Sequence, residues 1–371
     1  MSFQHTRRKF LIAGATGATS TLLGVPRIAS AQQTAVQGSG SVIVYDGGGS
    51  MGIAQRKAYS EPFEKETGIR VIHQPGVSAG IQLATIKAGT PKYDVANISG
   101  GAIETFIQGS FVLPIDYSHW STADRNGFDV VPTNKYHVPA MLYSMLLAYD
   151  SKRFATHAPV HWSDIWNASA FPGRATLASG VNAADGCTFE IALLADGVPP
   201  DKLYPIDWAR AFRSLDRLKP NLAKWWATGA ESIQLQVDGD AAIGSAWNGR
   251  IDAANDAGAT IGKSWEQGIL QWSTWAIPKG AKNIDNAQQY IAFISRPETQ
   301  AHFSELITYG PTNSRAFTHI SADLAPKLPT APALKGKQIL QNYGFWNSAD
   351  STGVTGLNKS VSEWERWISK A

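Results

Sequence analysis

The feature that most constrains the fold is an alternation of short apolar segments with longer amphipathic ones, beginning near residue 42. Three segments have the composition of buried strands: residues 42–45, 70–74 and 95–98. We predict a helix over Met51–Thr67, with Ser50 as its N-cap and Gly68 at its end. A second helix is predicted over Gly80–Ala88. This order of elements favours an α/β fold with a parallel sheet and helices on both faces.

A second α/β unit is predicted to begin after Asp150. Its elements are a strand over 175–178, helices over 188–195 and 208–218, a strand over 241–247 and a helix over 249–257. The apolar stretches 138–149 and 270–277 have the composition of strands that connect the two units. A chain of 371 residues has enough apolar surface for two such cores.

Residues 1–31 are predicted to be a cleaved export signal. Arg7 and Arg8 form a twin-arginine pair, and a mildly apolar region over 11–25 follows. Residues 29–31, Ala-Ser-Ala, offer a small-x-small cleavage pattern with Gln32 as the new N-terminus. The apolar run is short and diluted by Gly and Thr, which argues against a membrane span. We therefore expect a periplasmic protein exported by the twin-arginine route.

Charge and cysteine content exclude further classes of protein. Residues 1–31 carry four basic and no acidic side chains, so their removal lowers the formal net charge from +3 to −1. A nucleic-acid partner then has no electrostatic support. Cys187 is the single cysteine of the sequence, so no intramolecular disulfide is possible. Without a nearby base, Cys187 is predicted to be a small core or cleft residue and not a nucleophile.

The glycine loop Gly47–Gly52 matches two catalytic motifs. Gly-x-Gly-x-x-Gly between a strand and a helix is typical of dinucleotide binding, but the next strand ends at Gln74 without the acidic residue that would bind ribose. Gly-x-Ser-x-Gly is typical of a hydrolase nucleophile, but too few strands precede Ser50. A periplasmic nucleotide-dependent oxidoreductase that uses this loop is our alternative hypothesis. The loop could also hold a carboxylate at the helix N-terminus.

Histidines do not predict a metal site, because Pro159 separates His157 from His161 and no second cluster follows. Some of the thirteen tryptophans lie in polar segments beside turns, among them Trp247, Trp272 and Trp275. Aromatic side chains in such places suit a cleft that holds a ligand between them. Arg250 follows a strand end and could bind a carboxylate.

Several segments together resemble the bacterial extracellular solute-binding proteins that include the spermidine/putrescine receptors. They are residues 61–69 (EPFEKETGI), 93–95 (YDV), 239–243 (GDAAI) with 247–249 (WNG), 276–283 (AIPKGAKN), 292–298 (AFISRPE) and 309–313 (YGPTN). The resemblance implies a two-lobed periplasmic-binding-protein fold joined by crossover hinge segments. Lobe 1 would comprise residues 41–147 and 273–309, and lobe 2 residues 148–272 and 310–371. It also implies no enzymatic activity, no cofactor, a monomer, and an ABC permease as partner.

The local sequence patterns and the resemblance together predict ten ligand-binding residues: Asp46, Gly47, Gly48, Ser50, Ser99, Trp247, Arg250, Ser273, Trp275 and Tyr309. Trp247 would stack on the ligand, Arg250 would pair with an acidic end, and Asp46 with an amino end.

The sequence departs from the polyamine-binding pattern where those receptors have aromatic or acidic residues, at Gly47, Gly101, Cys187, Gln271 and Ser273. Asp46 and Asp185 lie close enough to replace lost carboxylates. A small amine-containing or zwitterionic solute is therefore expected, either a polyamine or an amino acid or carboxylate. Relatives of this kind take γ-aminobutyrate and opines.

Overall fold

The structure is a computed structural model that describes residues 39–370 apart from residues 129, 130 and 335. The predicted export signal lies outside the described residues. Within the described residues, no helix combines the length and the apolar character that crossing a membrane requires.

Strands and helices alternate along most of the described chain. The strands are β1 Ser41–Asp46, β2 Arg70–Pro75, β3 Ala96–Ser99, β4 Val112–Leu113, β5 Val138–Asp150, β6 Ala175–Ala178, β7 Leu222–Trp226, β8 Ile243–Trp247, β9 Ile261–Pro278 and β10 Gln338–Leu340. The helices are α1 Gly49–Gln55, α2 Glu61–Thr67, α3 Ala79–Lys87, α4 Ile103–Gln108, α5 Thr122–Arg125, α6 Ala183–Gly186, α7 Thr188–Ala195, α8 Trp208–Leu218, α9 Gly229–Val237, α10 Asn248–Asp256, α11 Ile284–Ile294, α12 Pro297–Leu306, α13 Tyr343–Asn347 and α14 Gly356–Ile368.

The first helix differs from its prediction at the N-terminus. Gly48 is the N-cap of α1 and makes no side-chain capping bond, so the prediction that Ser50 caps the helix is wrong. Gly48 has a φ of 67°, which glycine adopts without steric cost and which turns the chain into the helix earlier than expected. A π-helical turn over Arg56–Ser60 joins α1 to α2, and Gly68 ends α2 in the left-handed conformation as predicted.

The α/β class is confirmed, and the larger of the two sheets is mixed. β1 pairs with β2 in parallel, as the alternation predicts. A second sheet has the order β10-β9-β5-β8-β6-β7, in which β6 pairs in parallel with β7 and β8. β5 runs antiparallel to both β8 and β9, and β3 adds to β9 in the antiparallel direction. The two longest strands, β5 and β9, therefore form the centre of the molecule.

Buried apolar side chains form two large clusters that meet at β5 and β9. The first cluster draws on β1, α2, α11 and α12, and the second on α7, α8 and the C-terminal helices. β5 contributes Met141 to the first cluster and Met145 to the second. β9 contributes Trp275 to the first and Ile269 to the second. Each long strand thus passes from one core to the other within a few residues.

Candidate functional site

A cavity of about 190 Å³ lies where the two core clusters meet. This volume is below the roughly 300–1,000 Å³ of pockets for drug-sized ligands, which indicates a smaller guest. Six of the ten predicted ligand-binding residues line it: Gly47, Ser99, Trp247, Arg250, Ser273 and Tyr309. They come from the ends of β1, β3 and β8, the start of α10, the middle of β9 and the segment after α12. Polar and aromatic groups from distant parts of the chain therefore share one small space.

Four predicted residues lie elsewhere. Trp275 is 2% exposed and packs edge-on against Tyr59, with ring centroids 6.3 Å apart, inside the first core cluster. Ser50 lines a neighbouring groove on the outer side of Arg250. Gly48 is exposed, and Asp46 lies beneath the glycine loop. Neither of these last two is among the residues that line the cavity.

Asp46 is fully engaged by its own neighbourhood. Its Oδ1 accepts a 2.7 Å hydrogen bond from the Gly48 N–H, and its Oδ2 forms an ion pair with Arg56. His73 Nδ1 lies 3.4 Å from the same Oδ2. Burial by itself would raise the pKa of Asp46, but the Gly48 N–H and the Arg56 guanidinium outweigh it and lower that pKa. Asp46 therefore remains ionised and holds the loop together.

The glycine loop is closed to an anion at its first residues. The Gly47 N–H donates to Gln55 Oε1 at 2.8 Å, and the Gly48 N–H donates to Asp46. A phosphate or carboxylate at this point would find these donors occupied and a carboxylate beside them. Gly47 and Gly48 therefore form a structural turn and offer no free N–H group to an anion.

Asp185 lies at the end of α6 and contrasts with Asp46. Its buried Oδ1 has no hydrogen-bond partner among the described residues. Burial raises the pKa of Asp185, and a hydrogen bond from the Ser99 side chain opposes this shift only in part. A buried carboxylate oxygen without a partner is costly unless a donor from a ligand completes it.

Arg250 presents a matching cation on the same cavity. Its Nε is buried and has no hydrogen-bond partner in the described part of the chain. Its Nη2 donates a long bond of 3.4 Å to the Gly47 carbonyl, across the boundary between the two clusters. A guanidinium with a free N–H is suited to a carboxylate, which it can bind through two oxygens.

Aromatic side chains wall the cavity. The Tyr143 ring lies 6.2 Å from Trp247 in an edge-on arrangement and 5.8 Å from Tyr309. Burial raises the pKa of Tyr45, and Asp185 raises it further while Arg250 lowers it. Tyr45 therefore interacts electrostatically with both charged groups and remains a neutral hydrogen-bonding phenol at physiological pH.

Two glycines after β3 let this segment approach the second cluster closely beside the cavity. A Cβ added at Gly100 would lie 2.3 Å from Tyr343 Cε2. A Cβ added at Gly101 would lie 3.2 Å from the Ala184 Cβ. The Gly101 that replaces the aromatic residue expected by resemblance thus provides space for the opposite wall.

Several lining residues were missed by the prediction. They include Tyr45, Met51, Ser78, Gln82, Asn97, Met141, Tyr143 and Asp185. One signal was available for Ser78, which is the N-cap of α3 directly after β2, since ligands bind beyond the carboxyl ends of parallel strands. Asp185 was considered as a replacement carboxylate but was not placed in the predicted site. For the others, the sequence holds no comparable signal.

The single cysteine and the candidate metal ligands do not form a reactive site in the described chain. Cys187 is buried in the second cluster, and burial raises the pKa of its thiol well above the usual value. It is therefore a protonated core residue, in agreement with its prediction. Within residues 39–370 as described, no group of three or more His, Cys, Asp or Glu side chains could hold a metal ion.

Comparison with known proteins identifies close counterparts. The family described as "Bacterial extracellular solute-binding protein" matches residues 58–336. A γ-aminobutyric acid-binding protein of Pseudomonas aeruginosa is 34% identical over 334 residues, covering 88% of this chain and 91% of that protein. A spermidine/putrescine-binding periplasmic protein of Escherichia coli K12 is 26% identical over 301 residues, covering 78% and 84%.

Solved structures share the fold. The PBP AgtB of A. tumefaciens R10, in complex with agropinic acid, superposes with a TM-score of 0.79 at 29% identity, covering 89% of this chain and 99% of that chain. The two-lobed α/β architecture of binding proteins is thereby confirmed. These counterparts bind solutes and are not enzymes, which overturns the oxidoreductase alternative for the Gly47–Gly52 loop.

Proposed function

This chain belongs to the bacterial extracellular solute-binding proteins and is a substrate-binding protein of an ABC transporter, and on that premise we propose that its solute is a short zwitterion of the γ-aminobutyrate type. The solute's ammonium would donate to Asp185, and its carboxylate would bind Arg250. Trp247 and Tyr143 would enclose the methylene groups between the two ends.

The observation that carries this proposal is the pairing of two unsatisfied groups of opposite charge. Asp185 and Arg250 both line one small cavity, and Asp185 Oδ1 and Arg250 Nε are each buried without a partner in the described chain. A molecule with an ammonium and a carboxylate complements both at once. Burying either charged group without a hydrogen-bond partner costs free energy. A ligand that supplies both partners therefore binds with the largest gain in free energy.

A polyamine fits the same groups less well. A diamine needs a carboxylate at each end, but Asp185 is the single carboxylate among the residues that line the described cavity, and Asp46 is engaged by Arg56. The second ammonium would meet the Arg250 guanidinium, which repels it. The identity with the γ-aminobutyric acid-binding relative exceeds that with the spermidine/putrescine-binding relative, in the same direction.

Closure between two lobes is the mechanism we propose. Lobe 1 comprises residues 41–147 and 273–309, and lobe 2 comprises 148–272 and 310–371, with β5 and β9 as the hinge strands. The passage of β5 and β9 from one core cluster to the other supports a hinge in these two strands. The segment after residue 310 is shared between the lobes, because Ala316 and Leu328 cluster with Ala301 of α12. Asp185 and Arg250 then belong to lobe 2, and Tyr45, Gly47 and Ser99 to lobe 1. Ligand contacts from both lobes favour the closed state.

Export and partners complete the proposal. The relatives include periplasmic binding proteins, and residues 1–31 would direct export through the twin-arginine route. The mature chain would act as a monomer that delivers its solute to an inner-membrane ABC permease.

Three four-carbon ligands that differ only in their terminal charges test the proposed solute. γ-Aminobutyrate has one ammonium and one carboxylate, putrescine has two ammoniums, and succinate has two carboxylates. Isothermal titration calorimetry is expected to give the tightest binding for γ-aminobutyrate. Tightest binding of putrescine would reverse the assignment of Arg250, and tightest binding of succinate that of Asp185. If none of the three binds the folded protein, the proposed solute class is wrong.

A further inference from the structure

Gln271 lies behind the cavity and contacts both Trp247 and the backbone turn that carries Asp185. The side chain is fully buried on β9, opposite Tyr143 of β5. Its Oε1 accepts a 2.9 Å hydrogen bond from the indole N–H of Trp247. Its Nε2 donates to the Asp185 carbonyl at 2.9 Å and lies 3.3 Å from the Ala184 carbonyl. One amide thus joins the aromatic wall to the turn that carries the free carboxylate.

The orientation of this amide is fixed by its partners. An indole N–H can only donate and a backbone carbonyl can only accept, so the Gln271 oxygen must face Trp247 and its nitrogen must face residues 184 and 185. A carboxylate would lack the donors at this position, and a hydrocarbon side chain would lack both ends. Glutamine therefore meets a requirement that few other side chains can meet.

The hydrogen-bond network continues away from the cavity to the buried carboxylate of Glu190. Gln271 Nε2 also donates to Gln341 Oε1 at 2.9 Å, and Gln341 Nε2 donates to Glu190 Oε1 at 3.1 Å. Glu190 is completely buried and also accepts from Trp346 Nε1 at 2.9 Å. Buried polar networks of this kind rigidify their members, because breaking one bond leaves several groups unsatisfied.

We infer that Gln271 is a positioning residue that fixes the Trp247 ring and the Asp185 turn in their ligand-binding arrangement. The inference rests on the proposed function, since it assigns Gln271 to the recognition of the same zwitterion. Gln271 does not touch the solute and acts through Trp247 and the 184–185 backbone. It thereby sets the geometry between the aromatic wall and the carboxylate that receives the ammonium.

The test compares Gln271→Met with the wild type by calorimetric titration of γ-aminobutyrate. Methionine has a similar length and forms neither hydrogen bond, so the affinity is expected to fall roughly 10-fold or more. The matched control is Gln300→Met. Gln300 is also buried and accepts from the Thr312 and Asn313 backbone N–H groups at 2.8 and 2.9 Å, and it is not among the residues that line the cavity. That variant should lose stability and keep its affinity.

A double-mutant cycle with Trp247→Phe separates positioning from general destabilisation. Phenylalanine keeps a ring and removes the indole N–H, so the loss caused by Gln271→Met should be smaller in this background. If wild-type protein binds γ-aminobutyrate and folded Gln271→Met binds it equally well, or if both losses are additive, the inference is overturned while the proposed function stands. If the wild type fails to bind γ-aminobutyrate, the proposed function fails first and the inference falls with it.

Discussion

Asp46, at the end of β1, and Asp185, in α6, differ in how their carboxylates are satisfied. Asp46 has the Gly48 N–H and Arg56 as partners, and its pKa is lowered despite burial. Asp185 has one oxygen without a partner in the described chain, and its pKa is raised by burial. The first carboxylate is satisfied within the protein, and under the proposed function the second is completed by the ammonium of the solute. The unfilled hydrogen bond is therefore the reason for which the proposed site uses Asp185 and not Asp46.

The largest effect is expected from Asp185→Asn. This change removes the charge that receives the ammonium, so the affinity for γ-aminobutyrate should fall by roughly 100-fold or more, about 3 kcal/mol. Calorimetric titration measures it. The matched control is Asp46→Asn, whose affinity should change far less. Equal losses in the two folded variants would break the distinction between the two aspartates.

The next effect concerns stability without ligand. Asp46→Ala leaves the Gly48 N–H and Arg56 without their partner, so the free energy of unfolding should fall by about 1–3 kcal/mol. Asp185→Asn should leave the unfolding free energy unchanged or raise it, because it removes a poorly solvated charge. Urea unfolding of ligand-free protein measures both. A destabilised Asp185→Asn protein would show that Asp185 is a scaffold residue after all.

The two aspartates should also give pH dependences of opposite sign. A folded-state pKa above the unfolded value near 3.9 means that Asp185 lowers stability as the pH rises through that window. A folded-state pKa below the unfolded value means that Asp46 adds stability at neutral pH, which is lost as the pH falls. Thermal unfolding should show the difference between Asp185→Asn and wild type shrinking as the pH falls from about 7 to about 4. The difference between Asp46→Asn and wild type should shrink only below about pH 4. A difference that grows would contradict the assigned shift.

The smallest effect is expected from Ser50→Ala. Ser50 neither caps α1 nor lines the cavity, so the unfolding free energy should change by less than about 0.5 kcal/mol. The affinity for γ-aminobutyrate should stay within a factor of about two, since less than 0.5 kcal/mol is involved. A large loss of affinity would move the ligand toward the outer groove and away from Asp185.

The alternating elements of the first lobe could be predicted because hydrophobic periodicity is local. The predicted strand 70–74 is observed as Arg70–Pro75, and the predicted helix 80–88 as Ala79–Lys87. The start of α1 was missed because glycine accepts φ values that allow an earlier turn, and a serine N-cap was not needed. Local patterns therefore locate elements better than their ends.

The site was only partly predictable because it depends on distances along strands and on remote partners. Residues 273 and 275 share one face of β9, but a step of about 7 Å carries Trp275 from the cavity into the first core. Which aspartate is free depends on Arg56 packing against Asp46 and on no donor packing against Asp185 Oδ1 among the described residues. Neither fact has a signature in the local sequence.

The bare backbone at Gly101 has a consequence for the range of solutes. A Cβ at this position would lie 3.2 Å from the Ala184 Cβ, so any longer side chain would act as a spacer that stops the lobes short of full contact. The length of that side chain, and not the strength of the ligand contacts, would then decide how far the lobes close and which size of solute the closed protein holds. A series of larger side chains at position 101 would convert a receptor for compact molecules into one that accepts bulkier solutes on the same scaffold.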